Sequence, residues 1–221
     1  SRTTSETLMK TQTYFLNIFH ILGSKYDVIK QDLPTHGLSL FDHFDIKYVI
    51  LYKELPTMSS SLEKSFSNVF LPAVKQIMSE ILSEDTPVYE DDRTLIYKIP
   101  KPNSLEPFLL LGSGWHAFQP EHDARATMKN SEILIVNPTN SEINITLNLV
   151  LSSVENKKIM IVSINGEQLD MINIPAVATN IQLENLVLKP GVNVVVLDDD
   201  KFVLAGETQV SFKVRSISII N

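Results

Sequence analysis

The chain has no cysteine. Disulfide scaffolds, thiolate zinc sites and cysteine nucleophiles are therefore excluded. Only seven of its 221 residues are glycine, and they are scattered. No glycine-rich phosphate loop can be assembled from them, and no Gly-x-Ser-x-Gly elbow exists. No apolar run approaches the roughly 20 residues that a membrane-spanning helix requires, and no signal peptide opens the chain. Cationic stripes are also missing. Formal net charge is −7 and both halves are mildly acidic, which argues against nucleic acid as a partner and against attachment to anionic lipid. Aromatic residues are absent from Gln119 to Lys201.

What remains is an ordinary globular balance, 43% hydrophobic and 20% charged, so disorder and fibre classes are set aside. Two regions differ in pattern. Residues 1–100 mix helical and strand periodicities and read as a small α/β domain. Residues 107–221 read as strands almost throughout. Between them Pro100, Pro102 and Pro107 bracket a proline-rich connector at 101–106, because proline breaks both helix and ladder.

In the first region, Ser5 caps an expected helix to about Leu22, ended by Gly23. Leu38 to Phe44 reads as a short helix. Asp45 to Tyr52 reads as a strand buried in its second half. Ser59 to Leu82 reads as a helix, kinked or split at Pro72. Val88-Tyr89 and Leu95-Ile96-Tyr97 flank the turn Glu90-Asp91-Asp92-Arg93, a hairpin signal.

In the second region Ile143, Ile145, Leu147, Leu149 and Leu151 alternate with mostly polar residues, as in a strand with one buried face. Asn165-Gly166 is a two-residue hairpin turn, and Lys189-Pro190-Gly191 is a second turn. Val192, Val194 and Val196 alternate after it. A phase slip near Ser216 marks a bulge in the last strand. The expected core is Ile145, Leu147, Leu149, Ile161, Leu183, Val194, Val196 and Val214. The fold class is α+β: a small α/β layer, then an antiparallel β-sandwich of jelly-roll, galactose-binding-like type.

Candidate chemistry is sparse. His116, Glu121, His122 and Asp123 form the densest set of potential metal ligands, but their spacing matches no zinc motif and a polar surface loop is expected. Asp198-Asp199-Asp200 offers carboxylates for a hard cation, yet its position after a strand favours a solvated turn. Glu90-Asp91-Asp92 is read the same way. No metal or cofactor is expected. Asn144-Ile145-Thr146 is an N-glycosylation sequon with Asn144 on the outward face. The sandwich's five aromatic residues are too few to line a sugar platform once its core is filled.

Several segments occur in a recognisable order. They are Thr11-Gln12-Thr13-Tyr14, Phe44 to Ile50, Pro87 to Asp92 with Leu95-Ile96-Tyr97, Leu111-Gly112-Ser113-Gly114-Trp115, Glu121, Glu132 to Pro138, Ile164-Asn165-Gly166 and Lys189 to Val194. In this order they resemble the C-terminal soluble region of prokaryotic, archaeal-type, multi-spanning membrane proteins similar to GT-C membrane glycosyltransferases. The resemblance implies an extracytoplasmic location, with tethering transmembrane segments outside this sequence. The membrane-embedded remainder would be the partner, and glycan or lipid-linked sugar the ligand. It transfers no catalytic residue, since that family's catalytic carboxylates lie in loops beside the membrane. Only Trp115 and Glu121 match its pattern of Gly-Trp followed by an acid, as candidate ligand-binding residues. Where the family continues with an aromatic after an arginine, this chain has Arg125-Ala126-Thr127. The structural alternative for Trp115 is a core residue closing one end of the sandwich.

Three functions follow: a non-catalytic accessory domain of a glycosyltransferase-like membrane protein, an independent glycan- or cell-surface-polymer-binding β-sandwich module, or a soluble enzyme with an unrecognised site. The opening Ser1-Arg2-Thr3, without an initiator methionine, favours a piece of a longer chain. The aromatic gap leads to an expected affinity for simple sugars no better than about millimolar, roughly −4 kcal/mol.

Overall fold

A computed structural model describes residues 29, 32–53, 71–82, 87–119, 123–154, 157–199, 203–205 and 208–220. The helix expected from Ser5 to Leu22, and the beginning of the one expected from Ser59, lie outside the described residues. The chain divides into two units, one of residues 1–25 and 34–103, the other of 26–33 and 104–221.

Among the described residues the first unit has two helices and a three-stranded antiparallel sheet. Helix α1 spans Leu33–His43. It starts earlier than the apolar pattern alone suggests, because Pro34 falls in the first turn, where its fixed φ suits a helix and its missing N–H breaks no bond. Helix α2 spans Leu71–Leu82. Val74, Ile77, Met78 and Ile81 recur on one face and are buried, the spacing of an amphipathic helix. Pro72 stands in the first turn of α2, where it neither kinks nor splits the residues that follow. The helices meet closely at Gly37, where a Cβ would fall 2.8 Å from the Ile81 side chain.

Strand β1 is Tyr48–Tyr52, β2 is Tyr89–Glu90 and β3 is Thr94–Lys98. The sheet order is β1-β3-β2. The hairpin read from sequence is thus present. Strand β1, however, is not buried through its second half. It alternates, with Val49 and Leu51 buried and Tyr48, Ile50 and Tyr52 exposed.

The second unit is an antiparallel β-sandwich, as expected. The strands are β4 Phe108–Leu111, β5 Trp115–Gln119, β6 Ala124–Thr127, β7 Ser131–Asn137, β8 Ile143–Ser153, β9 Lys157–Ile164, β10 Glu167–Pro175, β11 Thr179–Leu188, β12 Gly191–Asp199 and β15 Phe212–Ile220. One five-stranded sheet runs β10-β9-β12-β7-β4 and the other β11-β8-β15-β6-β5. A small ribbon, β13 Val203–Ala205 with β14 Thr208–Val210, precedes the last strand. Among the described residues no helix follows Trp115, and none is long and apolar enough to cross a membrane.

The core is mostly aliphatic, with Phe108 and Phe212 also fully buried in it. Leu147, Leu149 and Leu151 from β8 are wholly buried, as are Val195 from β12 and Val214 and Ile217 from β15. Each large side chain so buried contributes about 1.5–3 kcal/mol of transfer energy. The Asn165-Gly166 turn joins β9 to β10, and both residues take positive φ, 51° and 87°. That is the geometry of a type I′ hairpin, which glycine and asparagine tolerate. The Lys189-Pro190 turn instead crosses between the sheets, since β11 and β12 belong to different ones. The expected bulge is present as a register shift between Val214 and Ser216.

Two inward phases differ from the sequence expectation. On β12 the inward residues are Asn193, Val195, Leu197 and Asp199, so Val194 and Val196 face outward and are half-buried. On β9 the inward set is Lys158, Met160, Val162 and Ile164, which leaves Ile161 outward. In both strands a buried polar or charged residue holds a core position that hydrophobicity alone would assign to solvent.

Candidate functional site

On the three-stranded sheet, residues opposite one another across strands share a face. In the β1–β3 register Tyr48 stands opposite Lys98, Ile50 opposite Ile96 and Tyr52 opposite Thr94. Tyr89 on β2 stands opposite Ile96. Tyr48, Ile50, Tyr52 and Tyr89 are each 50–56% exposed. The other face of β1 and β3 carries Val49, Leu51, Leu95 and Tyr97, all buried. One side of the sheet therefore builds the unit's core while the other presents three tyrosines. At about 3.4 Å per residue, Tyr48 and Tyr52 lie some 13 Å apart. That separation suits an extended ligand of several rings.

The strand ends next to this face form a cavity of about 700 Å³, lined by Lys47, Tyr48, Pro87, Val88, Lys98, Ile99, Pro100 and Lys101. A backbone bond from Ile99 N to Lys47 O, 2.9 Å, and one from Val88 N to Ile96 O, 2.8 Å, hold its walls. The volume lies in the ordinary range for small-ligand sites, and an apolar lining with a few polar groups is the usual composition.

The hairpin tip beside this face is rigidly built. Asp91 Oδ1 accepts from the N–H groups of Arg93 at 2.8 Å and Thr94 at 2.7 Å, and Tyr89 Oη donates to Asp91 Oδ2 at 2.8 Å. Lys53 Nζ reaches Glu90 Oε1 at 2.8 Å and also donates to the Asp91 carbonyl. The Arg93 backbone bond, with the others, holds the Asp91 carboxyl below its ordinary range. The bond to Asp91 pushes the Tyr89 phenol up. The acidic run is thus a turn that locks the orientation of Tyr89, in line with the solvated-turn reading.

The residues singled out from sequence fall elsewhere. Trp115 opens β5, half-buried, and its indole Nε1–H donates to the Glu132 carbonyl at 2.7 Å. It follows Gly114, whose φ is +84° and where a Cβ would come within 2.7 Å of the Ser131 backbone. The Gly-Ser-Gly-Trp segment thus folds against the start of β7. Glu121 and His122 lie outside the described residues. Asp123 is an exposed turn residue with φ +48°, and the His116 carbonyl accepts from Arg125 Nη1 at 2.9 Å. Asn144 is exposed on β8, on the outward face where the alternation puts it. Asp199 is not part of a solvated turn: it is buried and paired with Lys158, their Nζ–Oδ2 distance being 2.7 Å. Asp200 lies outside the described residues. Among the described residues no group of three His, Asp or Glu side chains is placed to hold a metal ion.

A second cavity, of about 380 Å³, is lined by Ala124, Ser152, Ser153, Val154, Ala176, Lys213 and Arg215 in the sandwich. None of the described residues that line it is aromatic.

No family model matches the chain, and no curated protein does. Solved structures similar to it include carbohydrate-binding modules and carbohydrate-active enzymes. A family 35 module from an environmental isolate shows 13% identity and a TM-score of 0.38, covering 50% of this chain and 86% of that one. The CBM36-1 domain of a multidomain xylanase from the hindgut metagenome of Trinervitermes trinervoides gives 13% and 0.38, covering 52% and 98%. The family 35 module of Cellvibrio japonicus Abf62 gives 14% and 0.37, covering 52% and 94%.

Proposed function

We propose that this chain is a non-catalytic glycan-binding protein, and that saccharide binds on the tyrosine-bearing face of its three-stranded sheet. The observation that carries this reading is the presentation of Tyr48, Tyr52 and Tyr89 on one exposed sheet face beside a cavity of about 700 Å³. Tyrosine combines a large, rigid apolar face with a hydroxyl that can hydrogen-bond, so it suits a ligand whose rings are apolar on their faces and polar at their edges. A folded sheet does not otherwise gain by leaving three tyrosines and an isoleucine in water on one face.

Aromatic residues are few in the sandwich, but the exposed tyrosines lie in the first unit. The accessory-domain reading rests on short sequence segments and gains nothing from the fold; the independent binding module is the preferred form. An extracytoplasmic location belongs to the same proposal, because polymeric glycan is met there. The exposed Asn144 sequon accords with it.

The test is calorimetric titration of the full chain against neutral and charged oligosaccharides. Binding near 0.1 mM, about −5.5 kcal/mol, is expected for the best of them. Tyr48→Ala and Tyr52→Ala should each weaken it by about 0.5–1.5 kcal/mol. Binding unaffected by both substitutions would move the site off this face.

A further inference from the structure

We infer that the ligand taken by the cavity at Tyr48 is an acidic saccharide, one bearing carboxylates on its rings. This inference rests on the glycan-binding reading and specifies the class of glycan. Of the lining residues among those described, Lys47, Lys98 and Lys101 are lysines, and none of the described lining residues is acidic. The chain as a whole carries a net charge of −7, so three lysines among the described lining residues run against its average composition. Lys47 makes one exposed contact with Asp45, at 3.3 Å. Among the described residues, Lys98 and Lys101 have neither an ion-pair nor a hydrogen-bond partner. The nearby carboxylates Glu90 and Asp91 are already engaged by Lys53 and by the hairpin tip.

The register adds geometry to the charge. Lys98 stands directly opposite Tyr48 on the neighbouring strand, and cross-strand neighbours have Cβ atoms about 5 Å apart. A sugar ring lying on the Tyr48 face therefore brings its ring substituents within reach of the Lys98 ammonium. The apolar walls Pro87, Val88 and Pro100 exclude part of the water around that ion pair, which strengthens it over a fully solvated one. A neutral sugar supplies no counterion to Lys98 and Lys101, whereas a uronate supplies one carboxylate per ring.

The experiment compares trigalacturonate with its methyl ester, which has the same rings without the charge. Titration of the full chain at low salt should show the acid binding about tenfold more tightly, and raising the salt to a few tenths molar should remove most of that difference. Lys98→Ala and Lys101→Ala together should reduce acid binding about tenfold, several-fold from each, and reduce ester binding much less; an equal loss for acid and ester would overturn the charge inference. Far-ultraviolet dichroism of each variant checks that the sheet persists. Equal binding of acid and ester would overturn the charge inference while leaving the glycan reading in place. Binding of neither, nor of any neutral oligosaccharide, would overturn the glycan reading itself. Sulfated oligosaccharides bound more tightly than trigalacturonate would replace carboxylate by sulfate. Binding to vesicles containing phosphatidylserine, with no saccharide bound, would make the cavity a membrane contact and refute the inference.

Discussion

Lys158 and Asp199 form an ion pair inside the sandwich, with 2.7 Å between Nζ and Oδ2 and side chains only 3% and 0% exposed. They sit on adjacent strands β9 and β12, both pointing into the space between the sheets. Removing one partner strands a charge in a dry environment, so Asp199→Ala or Lys158→Ala should each cost about 3–5 kcal/mol. The pair itself costs desolvation energy. Joint replacement by Met at 158 and Leu at 199 should therefore be near neutral in a urea unfolding experiment. Single variants losing less than about 1 kcal/mol would mean that water reaches the pair.

The inward phase of β12 gives a second test. Leu197 is 1% exposed, whereas Val196 next to it faces outward and is half-buried. Leu197→Ala should cost about 2–5 kcal/mol through lost transfer energy and a cavity, as should Leu147→Ala on β8. Val196→Ala should cost clearly less, around 1 kcal/mol. Denaturation midpoints of the three variants decide it, and a larger loss at Val196 than at Leu197 would reverse the phase.

Asn193 is the polar counterpart of those leucines, and it is wholly buried. Its Nδ2 donates to the carbonyls of Lys189 at 2.8 Å and Gly191 at 3.2 Å. Its Oδ1 accepts from Lys189 N and from Asn165 Nδ2, both at 3.0 Å. Asn165 Oδ1 in turn accepts from Val194 N at 3.0 Å. One amide thus ties the sheet-crossing turn to the β9–β10 hairpin. Asn193→Ala should cost about 1–3 kcal/mol by leaving buried groups unpaired, and Asn193→Asp should not restore stability, because a carboxylate cannot donate to the two carbonyls.

The hairpin tip should respond to pH in a definite sense. Backbone and side-chain bonds to its charged form keep the Asp91 carboxyl below its ordinary range. Its contribution is present at neutral pH and above the unfolded-state value, and is lost as pH falls through the lowered folded value. Asp91 raises the Tyr89 phenol, so Asp91→Asn should bring the Tyr89 titration down. Ultraviolet titration of the tyrosines checks the second point and carboxyl NMR the first. An Asp91 midpoint at or above the ordinary aspartate value would contradict this description of the turn.

Much of the sandwich could be read because its signals are local. The alternation from Ile143 to Leu151 admits one phase, Asn165-Gly166 permits one turn, and the slip at Ser216 falls where the ladder shifts. Strand β12 was ambiguous because Val194-Val195-Val196-Leu197 is apolar at every position. Its phase is decided by Asn193 and Asp199, whose partners at 165 and 158 are distant in sequence. The candidate site was harder still. Tyr48, Tyr52 and Tyr89 are good strand formers, and their sequence neighbours do not say which face the helices cover. Trp115 drew attention by its rarity, yet its indole N–H serves the fold.

The central claim is that saccharide binds the tyrosine face, and chemical-shift mapping of the isotopically labelled chain tests it most directly. On addition of an oligosaccharide that binds, amide shifts should concentrate at Tyr48, Ile50, Tyr52, Tyr89, Ile96 and Lys98, with little change in the sandwich. Shifts centred on Trp115, or on Ser152, Lys213 and Arg215 around the second cavity, would contradict the account and place the site in the sandwich.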